Sequence, residues 1–351
     1  MTESSRKLRS IAATVCLFLT SVSVCLAVTE LITRALARSG VRRATVAPSE
    51  LEGLPVLRDV LDLAKPNQRG VYMGHFYRTN SAGLRGPEYE RATPPGTFRI
   101  VVIGDSYTMG AGVAEAETYS ALLERDLNVA GPGRYEVLNL GIAGLNVRHS
   151  LDRLRGVGLQ FAPDLIVYGF TINDLEGLPG YRQTTPLNSA KPSPSVAWNL
   201  AQEGWRSLRD LVSPARGSYL YELNENFFNN PEVWRSFQAN LSELSQIGRS
   251  EGDCVVVLIH PLLVQLHHYH PLRRHYEKVE QAATEQGMTA VQSFPLAIGR
   301  SPSDLTLSLV DPHPNPAGHR LLERALLAGL GGLPSSCWKG QRPNEVVFAL
   351  R

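Results

Sequence analysis

The stretch "RIVVIGDSYTMGAGV", residues 99–113, decides how this chain folds. Its first half is an apolar run of strand length that stops abruptly at Gly104-Asp105-Ser106. A short apolar run closed by turn residues reads as a buried strand. A serine just past such a strand, in a glycine-rich turn, is where a sheet can present a nucleophile to solvent. Strands are expected near 98–103, 135–140, 164–169, 254–260 and 288–293. Between the first two, Tyr119, Leu122, Leu123 and Leu127 recur at helical spacing. Asn230-Pro231 reads as a cap and first helical residue, and the helix after it is expected to bury Trp234, Phe237, Leu241 and Leu244. Asn315-Pro316 repeats that start signal, with Gly329 as the expected stop. Such alternation means an α/β fold: three layers, α/β/α, around a central parallel sheet. Ligands bind such sheets at the carboxyl ends of the strands.

Three later pieces supply what Ser106 would need. "NLGIAGLN" (139–146) offers a glycine turn with free backbone N–H groups around Gly144. "YGFTIND" (168–174) places Asn173 just beyond another apolar run. "DPHPNPAGH" (311–319) places Asp311 and His313 at the start of a C-terminal helix. A serine hydroxyl is a weak nucleophile near neutral pH and needs a base, a role that suits an imidazole. Asp311 would fix the tautomer of that imidazole and stabilise its charged form. Attack on an ester carbonyl creates an oxyanion, which needs donors already aimed at it. The N–H groups of Ser106 and Gly144 and the side-chain amide of Asn173 would supply three.

Taken singly, each piece has an ordinary structural meaning: a turn serine, a turn Asn-Asp, a helix-start histidine. Together and in this order they resemble the SGNH, or GDSL-type, serine hydrolase family, with Ser106, Gly144, Asn173 and His313 on its four name-giving positions. The resemblance implies a flavodoxin-like α/β sheet and an esterase or acyltransferase that needs no cofactor or metal. In that family the acid commonly stands three residues before the histidine. Here Asp311 is two before His313, and position 310 is Val310. Competing readings fail on spacing. The loop after Gly104 lacks the Lys-Ser/Thr pair of a P-loop and the Gly-x-Gly-x-x-Gly of a dinucleotide site, and Ser106 is not in a Gly-x-Ser-x-Gly elbow.

Composition limits the partners. With 35 basic and 33 acidic residues interspersed, nucleic acid is not implied. The four cysteines show no metal spacing, and pairing of Cys254 with Cys337 would require an oxidising compartment. Arg6, Lys7 and Arg9 precede an uncharged stretch from Ile11 to Thr29, long enough to span a bilayer. A cleaved signal peptide is the rival reading, but the apolar pattern continues through Leu31, Ile32 and Leu36. Arg34, Arg38, Arg42 and Arg43 nearly balance the charges on the two sides. The expected layout is an anchor over 1–36, a membrane-proximal linker over 37–96, a catalytic domain over 97–333 and a tail over 334–351. The domain is expected on the periplasmic or outer side.

Residues 175–229, rich in Pro, Ser and aromatics, are an insertion read equally well as a lid or as a packed elaboration. His267, His268, His270 and His275 share no carboxylate or thiolate at ligand spacing and read as loop and helix start. His260, at the end of the fourth strand, is a rival base or substrate contact. Three functions follow: hydrolysis of a small acyl ester or an acylated glycan or lipid through an acyl-enzyme, O-acyl transfer to an envelope polysaccharide, or non-catalytic carbohydrate binding.

Overall fold

The computed structural model describes residues 18–35, 51, 53–57, 59–130, 134–181, 195–198, 201, 219–308 and 311–344. Most of the 175–229 insertion and Val310 lie outside the described residues. The chain divides into two compact units. The smaller holds helix α1 (Phe18–Ala35), with a mean hydropathy of 1.4 and no part of it buried. At 18 residues it is a candidate membrane span by length and composition. Its acidic Glu30 is not left alone. It pairs with Arg34 at 2.6 Å and accepts from Ser195 Oγ at 2.7 Å and Val196 N at 2.9 Å.

The larger unit begins before the first expected strand. β1 (Arg69–Tyr72) and β2 (His75–Arg78) form an antiparallel hairpin. Its two-residue loop, Met73-Gly74, has φ of 48° and 81°, the type I′ turn that suits the right-handed twist of paired strands. Leu57, Leu63 and Tyr77 pack beneath it against Met109, Ala111 and Ala143. Much of the stretch read as linker is therefore folded onto the domain.

The main sheet follows the expected run of strands: β3 (Thr97–Gly104), then α2 (Ser106–Met109), α3 (Tyr119–Ala130), β4 (Arg134–Asn139), α4 (Val147–Gly156) and β5 (Leu165–Phe170). Next come α5 (Pro231–Glu251), β6 (Cys254–Ile259), α6 (Arg273–Glu285) and β7 (Thr289–Gln292). The five strands are parallel in the order β4-β3-β5-β6-β7. β3 and β5 are buried at every position, as strands covered on both faces must be. Helices α4, α5 and α6 pack on one face. α3 and the last helix, α7 (Pro316–Gly331), pack on the other. The chain lays β4 on one side of β3 and β5 on the other, so strand order reverses there. Such a switch point opens a crevice at the carboxyl ends of its strands.

Local signals explain the helix ends. Asn230 accepts from Val233 N with Pro231 next, and Asn315 accepts from Ala317 N and Gly318 N with Pro316 next. Two expectations shift. Trp234 is only half-buried, lying between Phe227 and Phe237 under the Lys278 ammonium. Helix α7 runs past Gly329, where a Cβ would come within 2.2 Å of Val291, so this glycine lets helix and strand approach rather than stopping the helix. His313 also lies on a strand, not at a helix start: β8 (Thr306–Ser308) and β9 (Asp311–Pro314) pair antiparallel just before α7.

Cys254 and Cys337 form a disulfide across a separation of 83 residues. Closing a loop of that length stabilises the fold by about 4.5 kcal/mol in the chain-entropy view. It ties the start of β6 to the segment after α7.

His275 sits edge-on to Phe227 and Phe228, and burial pushes its pKa from 6.5 down to about 3, with the charges of Arg274, Lys278 and His270 adding to the effect. The unfolded chain takes up a proton below pH 6.5 that the folded chain refuses, so stability present above that pH falls between 6.5 and about 3. His275→Phe should flatten the stability–pH curve between pH 6 and 4 by about 1.4 kcal/mol per pH unit. Urea unfolding at several pH values checks this, and parallel curves for the two proteins would contradict it.

Candidate active site

A free helix of four residues is far too short to persist in water, so the turn carrying Ser106 is held from outside. Asp105 caps it. The buried Asp105 side chain accepts from Tyr107 N at 2.9 Å, leaving Ser106 as the first helical residue, half-exposed at the end of β3. Ser106 Oγ lies 2.9 Å from His313 Nε2, and His313 Nδ1 lies 2.6 Å from Asp311 Oδ1. An ionised carboxylate can only accept, so Nδ1–H donates to it. That tautomer leaves the Nε2 lone pair free to accept the serine O–H. The same Asp311 oxygen accepts from His313 N at 3.1 Å, so the two-residue spacing suffices to bring carboxylate and imidazole together. Burial raises the Asp311 carboxyl, but the hydrogen bonds and charge of His313 outweigh it and hold the group below its ordinary range.

The two further loops meet the same turn. Ile142 N donates to Gly104 O, and Leu145 N to Ile142 O, closing a turn whose third residue is Gly144 with φ of 77°. A positive φ at that position is a type II turn, which favours glycine. Gly144 is exposed with open space around it. Asn173 follows β5 in the turn Ile172–Leu175. Thr171 Oγ1 lies 2.8 Å from Asp105 Oδ2 and 2.5 Å from Asn173 Oδ1, which links the Asn173 carboxamide to the cap of the serine helix. Burial raises the Asp105 carboxyl, opposed by Tyr107 N, Thr171, the charge of His313 and Asn173.

Of the five residues singled out in the sequence, Ser106 begins α2 after β3, Gly144 and Asn173 lie in the loops after β4 and β5, and Asp311 and His313 lie on β9. Asp105, Thr171 and Tyr107 were missed. Asp105 had a legible signal, an aspartate immediately before a helix. Tyr107 had none. Its O–H donates to Pro312 O, between Asp311 and His313, at 2.9 Å, and its ring lies 5.5 Å from that of His313. His260 is not placed as a base. It is 1% exposed, its ring nitrogens have no hydrogen-bond partner among the described residues, and it lies between Tyr107 and Tyr119. His270 is tied to Leu262 O and Leu272 N, and no metal-binding cluster occurs among the described residues.

A hydroxyl, an imidazole and a carboxylate thus stand in series beside the switch point of the sheet. The GDSL-like Lipase/Acylhydrolase family model matches residues 102–321, and the chain belongs to that family. It is an SGNH-type esterase, an enzyme acting on ester bonds. Among solved structures it is similar to TesA (TM-score 0.43, 19% identity, covering 66% of this chain and 97% of that one). It is also similar to LAE5, an α/β hydrolase from the metagenome of Lake Arreo, Spain (0.43, 20%, 69% and 98%). A third is Axe2, an acetylxylan esterase from Geobacillus stearothermophilus (0.42, 21%, 70% and 98%). No curated protein matches the sequence.

The Tyr107 hydroxyl fixes the strand that carries His313 relative to Ser106. Tyr107→Phe should lower kcat about 5–10-fold, the worth of one such bond, with little change in KM. Steady-state kinetics on a chromogenic ester measure this, and an unchanged kcat would show the bond to be idle.

Proposed function

We propose that the enzyme cleaves carboxylic esters through an acyl-enzyme on Ser106. The observation that carries this reading is the hydrogen-bonded series Ser106–His313–Asp311. His313 Nε2 takes the Ser106 proton as Oγ attacks the carbonyl, and Asp311 stabilises the imidazolium that results. The carbonyl oxygen becomes an oxyanion facing the N–H groups of Ser106 and Gly144 and the Asn173 amide. His313 then gives its proton to the departing alcohol. Water, activated by the same imidazole, releases the acid and restores Ser106. A sugar hydroxyl in place of water would turn the same cycle into acyl transfer.

The domain works on the extracytoplasmic side of a membrane, held by α1. Two features support this: the apolar length of α1, and the Cys254–Cys337 bond, a linkage rare in reducing compartments.

Ser106→Ala and His313→Ala should each lower kcat by about 10⁶, since the pair acts as a unit. Asn173→Ala should lower kcat by about 10²–10³ with a small change in KM. Hydrolysis of short-chain esters and acetylated sugars by purified full-length protein provides the measurement. Full turnover by Ser106→Ala would refute the reading, and a pure KM effect would make Asn173 a binding residue. Product analysis with added oligosaccharides separates free acid from acylated acceptor.

A further inference from the structure

We propose that Arg85, which lies before the family-matched region, is a positioning residue for Ser106: its guanidinium holds the C-terminal end of the helix that Ser106 begins. The proposal rests on the reading of Ser106 as nucleophile.

Arg85 is 5% exposed. Its Nη1 donates to Met109 O at 2.7 Å and Gly110 O at 2.6 Å, and its Nη2 donates to Val113 O at 2.7 Å. The first two are carbonyls that a four-residue helix leaves without intrahelical partners. Asn139 takes the carbonyl before them, donating to Thr108 O at 2.7 Å. A positive charge at this end also complements the helix dipole. The nearby carboxylates are engaged elsewhere: Glu115 pairs with Arg78, and Glu117 accepts from Ala114 N. Arg85 therefore directs both terminal nitrogens at backbone carbonyls, all within seven residues of Ser106, while its buried Nε has no hydrogen-bond partner among the described residues.

The arginine is itself built in. Its face lies over the Tyr77 ring at 5.2 Å, and the Tyr77 O–H donates to Leu63 O at 2.7 Å. Asn80 shapes the turn before it, accepting from Ala82 N and Leu84 N at 3.0 Å and donating to Pro87 O at 2.9 Å. Backbone pairing of Arg85 with Asn139 fixes the loop to the end of β4. Through Arg85 the N-terminal segment thus sets where Ser106 Oγ and its N–H stand.

The consequence is a loss in the chemical step rather than in binding. A lysine keeps the charge, but its single nitrogen cannot span three carbonyls as the planar fork does. Arg85→Lys should lower kcat, and the rate of Ser106 labelling by a fluorophosphonate, about 10–100-fold, with KM changed less than about threefold. Asn80→Ala, which loosens the turn but keeps the arginine, should give the same kcat-selective loss at about 5–10-fold. Leu63→Ala, which weakens the same segment without removing a bond to the helix, should keep kcat within about threefold when assayed well below its Tm. If Arg85→Lys does not fold, Asn80→Ala decides. Normal kcat in folded Arg85→Lys or Asn80→Ala, or an equal loss in Leu63→Ala, would overturn the proposal. Ser106→Ala is assayed alongside: labelling that survives there would remove the nucleophile reading itself, a failure distinct from that of Arg85.

Discussion

The hydrogen bonds around the short helix Ser106–Met109 are what the rest of the site depends on. Asp105 closes its amino end, while Asn139 and Arg85 take the carbonyls of Thr108, Met109 and Gly110 at the other. A turn of this length gains too little from its own bonds to offset the ordering of its backbone. Its direction is therefore set by β3 behind it and by partners from four other parts of the chain. One of those partners, Thr171, also reaches the Asn173 carboxamide, so the Ser106 turn and that amide share a support.

The sheet explains why these parts converge. Strand order reverses between β4 and β5 about β3, and the loops that follow all three strands open on one crevice. Ser106, Gly144 and Asn173 each follow one of them. His313 and Asp311 come from a separate device, the β8–β9 hairpin, locked to the serine helix by the Tyr107 bond to Pro312 O. Asp311 and His313 share one short strand, which keeps their mutual geometry local, while the distance to Ser106 depends on the Tyr107 bridge, on packing and on the His313–Ser106 contact itself.

Much of this was legible in the sequence because the signals are local. Apolar runs of strand length marked β3, β4, β5 and β6 to within a residue or so, and Asn-Pro pairs marked two helix starts. What escaped was non-local. Arg85 bonds backbone carbonyls, which carry no residue identity to match against. Tyr107 bonds the carbonyl of a residue some two hundred positions away. The hairpin before β3 has a type I′ loop built on Met73-Gly74, without the asparagine or aspartate that usually announces it. His313 was expected at a helix start because Asn315-Pro316 follows so closely, and the strand pairing that holds it needs β8, whose sequence is unremarkable.

The central claim is that Ser106 carries the acyl group. Its most direct test is the mass of the protein quenched in acid during turnover of an activated ester, followed by peptide mapping. The account predicts one acyl group per chain, on the peptide containing Ser106, formed before the acid is released. Turnover with no covalent adduct, or an adduct on any other residue, would contradict it.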